Sequence, residues 1–187
     1  LETPTSFIDG VTNENSSGTL YMSPGTLYRI TSLSTSGGQA NIPRMSGVTF
    51  PYKLDGGTIE LSAAGDQTLR GNKAYRNLTF SNNGTKSISS AVSSITGTIL
   101  IKDDAVLNVG SNAMGGAGTN LTMEGNSKYI TAGVLTKPDA QGTYTLGPVT
   151  TIEFSNSNNA TIQDIRLGLS AENPIAYNHI IISGNNV

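Results

Sequence analysis

Apolar and polar residues alternate along this chain in short runs. Thr58-Ile59-Glu60-Leu61, Asn77-Leu78-Thr79-Phe80, Asn120-Leu121-Thr122-Met123 and Thr151-Ile152-Glu153-Phe154 each send every second side chain to one side. A period of two puts one face of a strand on a core and the other in water. No helical period persists anywhere along the sequence. Polar clusters end the runs, at Ala63-Ala64-Gly65-Asp66, Ser81-Asn82-Asn83-Gly84, Lys102-Asp103-Asp104 and Asn156-Ser157-Asn158-Asn159. Gly and Asn tolerate positive φ, so these clusters read as turns.

The spacing of the runs narrows the architecture. Centres near Ile59, Leu69, Leu78, Ile88, Ile99 and Leu107 lie roughly ten residues apart, as in a β-sandwich, barrel or solenoid. The stronger runs, at Ile59, Leu78, Ile99 and Leu121, are about twenty apart, within the range of one coil of a β-solenoid. The expected fold is therefore all-β. A parallel β-solenoid is favoured, and one or two antiparallel β-sandwich domains are the alternative. The two differ at Ile59: a solenoid pairs it near Leu78, a hairpin near Leu69.

The chain also repeats itself. Gly57–Ser62 (GTIELS) returns as Thr150–Ser155 (TTIEFS), and Ala74–Phe80 (AYRNLTF) returns as Ala176–Ile182 (AYNHIII). The offsets, 93 and 102 residues, differ by nine, so insertions between strands are tolerated. The second copy stops at Ser183–Val187, where the first continues into Thr85–Ile88. The expected organisation is an amino-terminal β segment over 1–50, a first repeat unit over 51–141, and the start of a second, truncated unit over 142–187 of a longer array. Gly110–Gly118 (GSNAMGGAG) and Lys137–Gly142 (KPDAQG) break the rhythm and read as a poorly packing loop or corner and a turn.

Composition removes several function classes. Of 187 residues only 13% are charged, the net charge is -2, and the eleven Lys and Arg are scattered. A nucleic-acid partner would need a clustered basic surface. No apolar stretch approaches the roughly 20 residues of a membrane-spanning helix, so no membrane insertion is expected. With no cysteine there are no disulfides, thiolate metal sites or cysteine nucleophiles. Abundant Gly, Ser, Thr and Asn suit exposed, extracellular β architecture.

The order GTIELS, QTL, AYRNLTFS, GTKSIS, GTILIKDDAVLNVG over Gly57–Gly110 resembles repeat regions of very long secreted cell-surface adhesins of Bacteroidetes. These include gliding-motility adhesins exported by the type IX secretion system. Gly142–Gly184 is partly similar, with Asn178-His179-Ile180 in place of Arg76-Asn77-Leu78. The resemblance implies an extracellular, cell-surface repeat protein and transfers no catalytic residues.

Candidate chemistry is sparse. A Ser-His-Asp triad would need His179, the only histidine, which stands where the first copy has Asn77. Asp103 and Asp104 are adjacent and would point to opposite faces of a strand, which ill suits a glycosidase pair. Glu60 and Glu153 recur at equivalent positions, which argues for a structural role on the solvent face. Calcium is the one candidate cofactor, at Asp103 and Asp104 or at the turn of Asp9, Asn13 and Glu14; the EF-hand spacing is missing and no metal site is assigned. The Asn-x-Ser/Thr triplets at Asn15, Asn77, Asn83, Asn120 and Asn159 follow from composition. Tyr21, Tyr28, Tyr52, Tyr75, Tyr129, Tyr144 and Tyr177 could stack on sugars; Tyr75 and Tyr177 recur in register and read as caps over a coil edge. Thr positions look too irregular for the ordered ranks of an ice-binding face.

The expected function is a structural and adhesive segment of a large extracellular repeat protein, with no catalysis. Its partners would be surface polysaccharide or an abiotic surface, and neighbouring repeats of the same chain. A carbohydrate-binding module and a polysaccharide-degrading β-helix enzyme are the alternatives; the first needs clustered exposed aromatics, the second a cleft of acid and base groups.

Overall fold

The computed structural model describes residues 2–3, 22–33, 54–133, 137–156, 163–170 and 173–184. In chain order the strands are β1 (Glu2–Thr3), β2 (Leu27–Ile30), β3 (Leu54–Leu61), β4 (Gln67–Leu69), β5 (Ala74–Phe80), β6 (Thr85–Ile88), β7 (Ser94–Ile95) and β8 (Thr98–Ile101). They continue as β9 (Val106–Gly110), β10 (Asn120–Met123), β11 (Lys128–Thr131), β12 (Tyr144–Leu146), β13 (Thr151–Phe154), β14 (Gly168–Ser170), β15 (Asn173–Pro174) and β16 (His179–Ile182). No helix occurs among the described residues.

From β3 to β13 the chain visits two sheets in turn. The first has the order β1-β2-β3-β5-β8-β10-β12, with β7 beside β5; the second is β4-β6-β9-β11-β13-β16. Every pairing within both is parallel. Ile59 pairs with Leu78, not Leu69. Leu78 then pairs with Ile99, Ile99 with Leu121 and Leu121 with Tyr144, steps of 21, 22 and 23 residues. The protein is a parallel β-solenoid, and the sandwich alternative falls.

Turns carry the chain from one sheet to the other. Asn82 and Asp103 adopt positive φ in these turns, and so do several glycines. A third side carries two single parallel bridges among the described residues, Val92 to Met114 and Lys137 to Ile165. The Gly110–Gly118 segment therefore packs better than its composition suggests. Met114 is fully buried there and pairs across coils.

The core is a set of columns. Tyr28, Ile59, Leu78, Ile99 and Leu121 stack along the first sheet, beside Ile30, Leu61, Phe80, Ile101 and Met123. Each is buried, and each such side chain contributes roughly 1.5–3 kcal/mol relative to exposure. Leu107, Tyr129 and Ile152 form the facing column of the second sheet. At its end β16 leaves Ile180, Ile181 and Ile182 41–57% exposed.

The internal repetition has a structural meaning different from a simple duplication. Thr58 and Ile59 pair with Asn77 and Leu78; Thr151 and Ile152 pair with His179 and Ile180. The register between neighbouring strands is thus conserved. Yet β3 and β5 lie in the first sheet, while β13 and β16 lie in the second. The step from Ile152 to Ile180 is nine residues longer than that from Ile59 to Leu78, and the antiparallel hairpin β14–β15 falls within it.

Candidate functional site

Alternation along each strand turns half of the first sheet's side chains outward. Across strands they form two columns. One runs Thr58, Asn77, Thr98, Asn120, Thr143, and the other Arg29, Glu60, Thr79, Leu100, Thr122, Thr145. Neighbours within a column stand about 4.8 Å apart, and the columns are about 6.6 Å apart along the strands. Most of these side chains are half-buried, and Thr143 and Thr145 are exposed.

The Asn residues hold this face together from coil to coil. Asn77 Oδ1 accepts the Thr98 N–H at 3.0 Å, and Asn120 Oδ1 accepts the Thr143 N–H at 2.8 Å. The residue before each Thr must be glycine. A Cβ on Gly97 would lie 2.3 Å from Asn77 Oδ1, and one on Gly142 2.4 Å from Asn120 Oδ1. Gly-Thr in one coil and Asn in the coil before it are two halves of one contact. Composition, the reading given to these Asn-x-Thr triplets in the sequence, does not reveal the contact. The alternation Gly57-Thr58, Asn77, Gly97-Thr98, Asn120, Gly142-Thr143 is the signal that could have found it.

Glu60 differs from expectation. It faces outward but is only 5% exposed. Arg29 Nε donates to its Oε2 at 2.8 Å, Ser81 Oγ donates to Oε1 at 2.8 Å, and Lys102 Nζ lies 3.9 Å from Oε1. Glu153 has the same type of surroundings in the second sheet: it pairs with Lys128 and accepts from Ser183. Those two hydrogen bonds hold the Glu153 carboxyl below its ordinary range. Both glutamates lace three successive strands together, which is a structural role under cover rather than on open solvent face.

The other candidates are dispersed. His179 is exposed on the end strand β16. Asp103 Oδ2 accepts the Asn82 N–H at 3.4 Å, and Asp104 Oδ1 accepts from Asn126 Nδ2 at 3.1 Å, so both link successive turns. Asn83 is an exposed turn residue whose carbonyl accepts from Gly65 N–H at 3.2 Å. Among the described residues no three His, Asp or Glu side chains stand together as a metal site. Asp9, Asn13, Glu14, Asn15, Tyr21, Tyr52 and Asn159 lie outside the described residues.

The described tyrosines point inward. Tyr28, Tyr75 and Tyr129 are buried, with no more than 5% exposed, and cannot stack on a sugar. Tyr75 and Tyr177 are not caps over a coil edge. They anchor the third side from within, donating to the carbonyls of Arg70 (2.6 Å) and Arg166. Glu60 and Leu100 interrupt the second outward column, so it presents no unbroken threonine rank.

Two interior clusters are polar. Near the amino end Lys86 is fully buried, and its ammonium donates to the carbonyls of Ala63 (2.6 Å), Gly65 (2.7 Å) and Asn83 (3.2 Å). Burial brings its pKa down to about 8, and nearby Asp66 opposes that shift. Gln67 fills the next inward place, accepting from Ala63 N–H and donating to Ile30 and Ser32 carbonyls. Toward the carboxyl end lie Tyr129, Thr131 and Gln163, all at most 2% exposed. Burial, with Asp139 nearby, raises the Tyr129 phenol well above its ordinary value, and the Thr131 hydroxyl beside it acts in the opposite direction. Close by, Lys137 pairs with Asp139 at 2.7 Å.

No protein-family model, curated protein or solved structure matches the chain.

Proposed function

We propose that this chain is a structural and adhesive segment of an extracellular cell-surface repeat protein, making contact through the outward face of the first sheet and performing no catalysis. The observation that carries this is the polar column Thr58, Asn77, Thr98, Asn120, Thr143, held in register by Asn-to-backbone bonds. With Oδ1 engaged, each half-buried Asn keeps its amide donors for a contact beside the threonine hydroxyls of the same column. The result is a periodic row of hydrogen-bonding groups along the solenoid axis, suited to a periodic polar surface such as polysaccharide. The resemblance of Gly57–Gly110 to adhesin repeats supports the extracellular setting.

Retention of the protein on insoluble polysaccharide particles and on glass tests this. Wild type is expected to bind at least one of them. The variant Thr98→Lys/Thr122→Lys/Thr143→Lys, with an unchanged circular dichroism spectrum, should bind roughly tenfold more weakly, a loss of about 1.4 kcal/mol. No retention of wild type, or equal retention of the variant, would overturn the proposal.

A further inference from the structure

Four buried side-chain atoms have no hydrogen-bond partner among the described residues: Ser127 Oγ, Tyr129 Oη, Thr131 Oγ1 and Gln163 Oε1. Buried polar groups in folded proteins are almost always bonded, to protein or to ordered water. Ser127 precedes β11 and sits at its far end. The other three gather around Thr131. Tyr129 and Thr131 are two apart on β11, so both point inward. Gln163 Nε2 donates to the Thr131 carbonyl at 3.3 Å, which sets its own carbonyl oxygen beside the same residue.

The chemistry of this corner specifies its occupant. Lys137 and Asp139 neutralise one another, and Asp139 Oδ2 also accepts the Met114 N–H at 3.1 Å. Arg166 Nε is turned onto the Pro138 carbonyl at 2.8 Å. Neither the Lys137–Asp139 pair nor Arg166 Nε is directed at the three unpartnered atoms. The groups left over are two hydroxyls, which donate and accept, and one amide oxygen, which only accepts. A water molecule matches them: it donates to Gln163 Oε1 and to one hydroxyl and accepts from the other. Three bonds is the usual complement of a buried water.

We propose that Tyr129, Thr131 and Gln163 hold a buried water molecule that ties the second sheet to the third side of the solenoid. Long-lived hydration can be counted on the full chain by magnetic relaxation dispersion of labelled water. Wild type should hold one more long-lived water than Tyr129→Phe/Thr131→Val. The fall in Tm of that double variant should equal the larger of the two single-variant falls, because the first substitution already releases the water. Should the double variant not fold, Gln163→Met replaces it with the same expected loss of one water. Equal numbers of long-lived waters would overturn the proposal. So would a crystal structure in which the Tyr129 and Thr131 hydroxyls bond protein atoms with no water between them.

Discussion

The two ends of the solenoid interior accommodate polar side chains in opposite ways. At the amino end Lys86 and Gln67 occupy inward positions where a hydrophobic residue would be expected, yet every polar atom they carry finds protein. At the carboxyl end Tyr129, Thr131 and Gln163 each retain an atom without a protein partner among the described residues. The difference is one of reach. Lys86 stands one residue into β6, next to the turn, and its long stem delivers the ammonium to three turn carbonyls. Tyr129 stands one residue into β11, in the same inward column through Leu107, but its rigid ring does not bend back to turn carbonyls, and Thr131 ends the strand with a side chain too short to reach them. The same inward column therefore satisfies a long, flexible ammonium more readily than a rigid phenol or a short hydroxyl.

Replacing Lys86 gives the largest expected effect. Lys86→Ala removes the buried stem and leaves the carbonyls of Ala63, Gly65 and Asn83 without their ammonium donor. A loss of about 3 kcal/mol is expected in urea denaturation. A loss below about 0.5 kcal/mol would mean that the ammonium cage stabilises nothing, and the contrast between the ends would collapse.

Alkaline titration separates the ends by sign. Between about 8 and 10.5 the unfolded chain keeps the Lys86 proton that the folded chain has released. The unfolded state then binds more protons, so this group makes stability rise with pH across that window. The buried tyrosines act in the opposite direction. Tyr129, Tyr144 and Tyr177 are raised above 10.0, mainly by burial. Above 10.0 the folded chain holds protons that the unfolded chain gives up, and stability falls. Denaturation midpoints measured from pH 7 to 11 should rise and then fall. Lys86→Met, which keeps the stem, should lack the rise and keep the fall; an unaltered rise would exclude Lys86 as its origin.

Two tyrosines sharpen the contrast further. Tyr75 donates to the Arg70 carbonyl, so Tyr75→Phe should cost about 1–2 kcal/mol. Tyr129→Phe removes a hydroxyl with no protein partner among the described residues and should cost about 1 kcal/mol or less. Thermal melts that reverse this order would show the Tyr129 hydroxyl to be firmly bonded to protein.

The smallest effect belongs to Glu153→Gln. Its pair with Lys128 is partly exposed, so about 0.5 kcal/mol is expected at neutral pH. The depressed carboxyl contributes stability above its unfolded pKa, and this is lost as pH falls through the folded value. Wild type and variant should converge in acid; a difference that persists there would point to packing rather than charge.

Much of the architecture was legible in the alternation of apolar and polar residues. A period of two at Ile59, Leu78, Ile99 and Leu121 reports strands with one buried face. Their spacing of about twenty residues reports the coil, because a parallel ladder requires the chain to travel once around before pairing. Lys86 lies two residues before Ile88, on the same side of its strand, so periodicity places it inside. Its charge argues the reverse, and only the turn carbonyls within reach decide the matter.

The sequence by itself therefore determined the all-β class, the coil length and which side chains share a face, since these follow from backbone geometry acting on nearest neighbours along the strand. Three things were decided only in the tertiary structure. Both copies of the repeated segment share one inward-outward pattern, so nothing local says that one belongs to the first sheet and the other to the second. Glu60 is covered by Arg29, which lies 31 residues earlier and reaches it only because β2 and β3 are neighbours. The gathering of Tyr129, Thr131 and Gln163 likewise depends on where the third side returns, and that is set by the packing of whole coils.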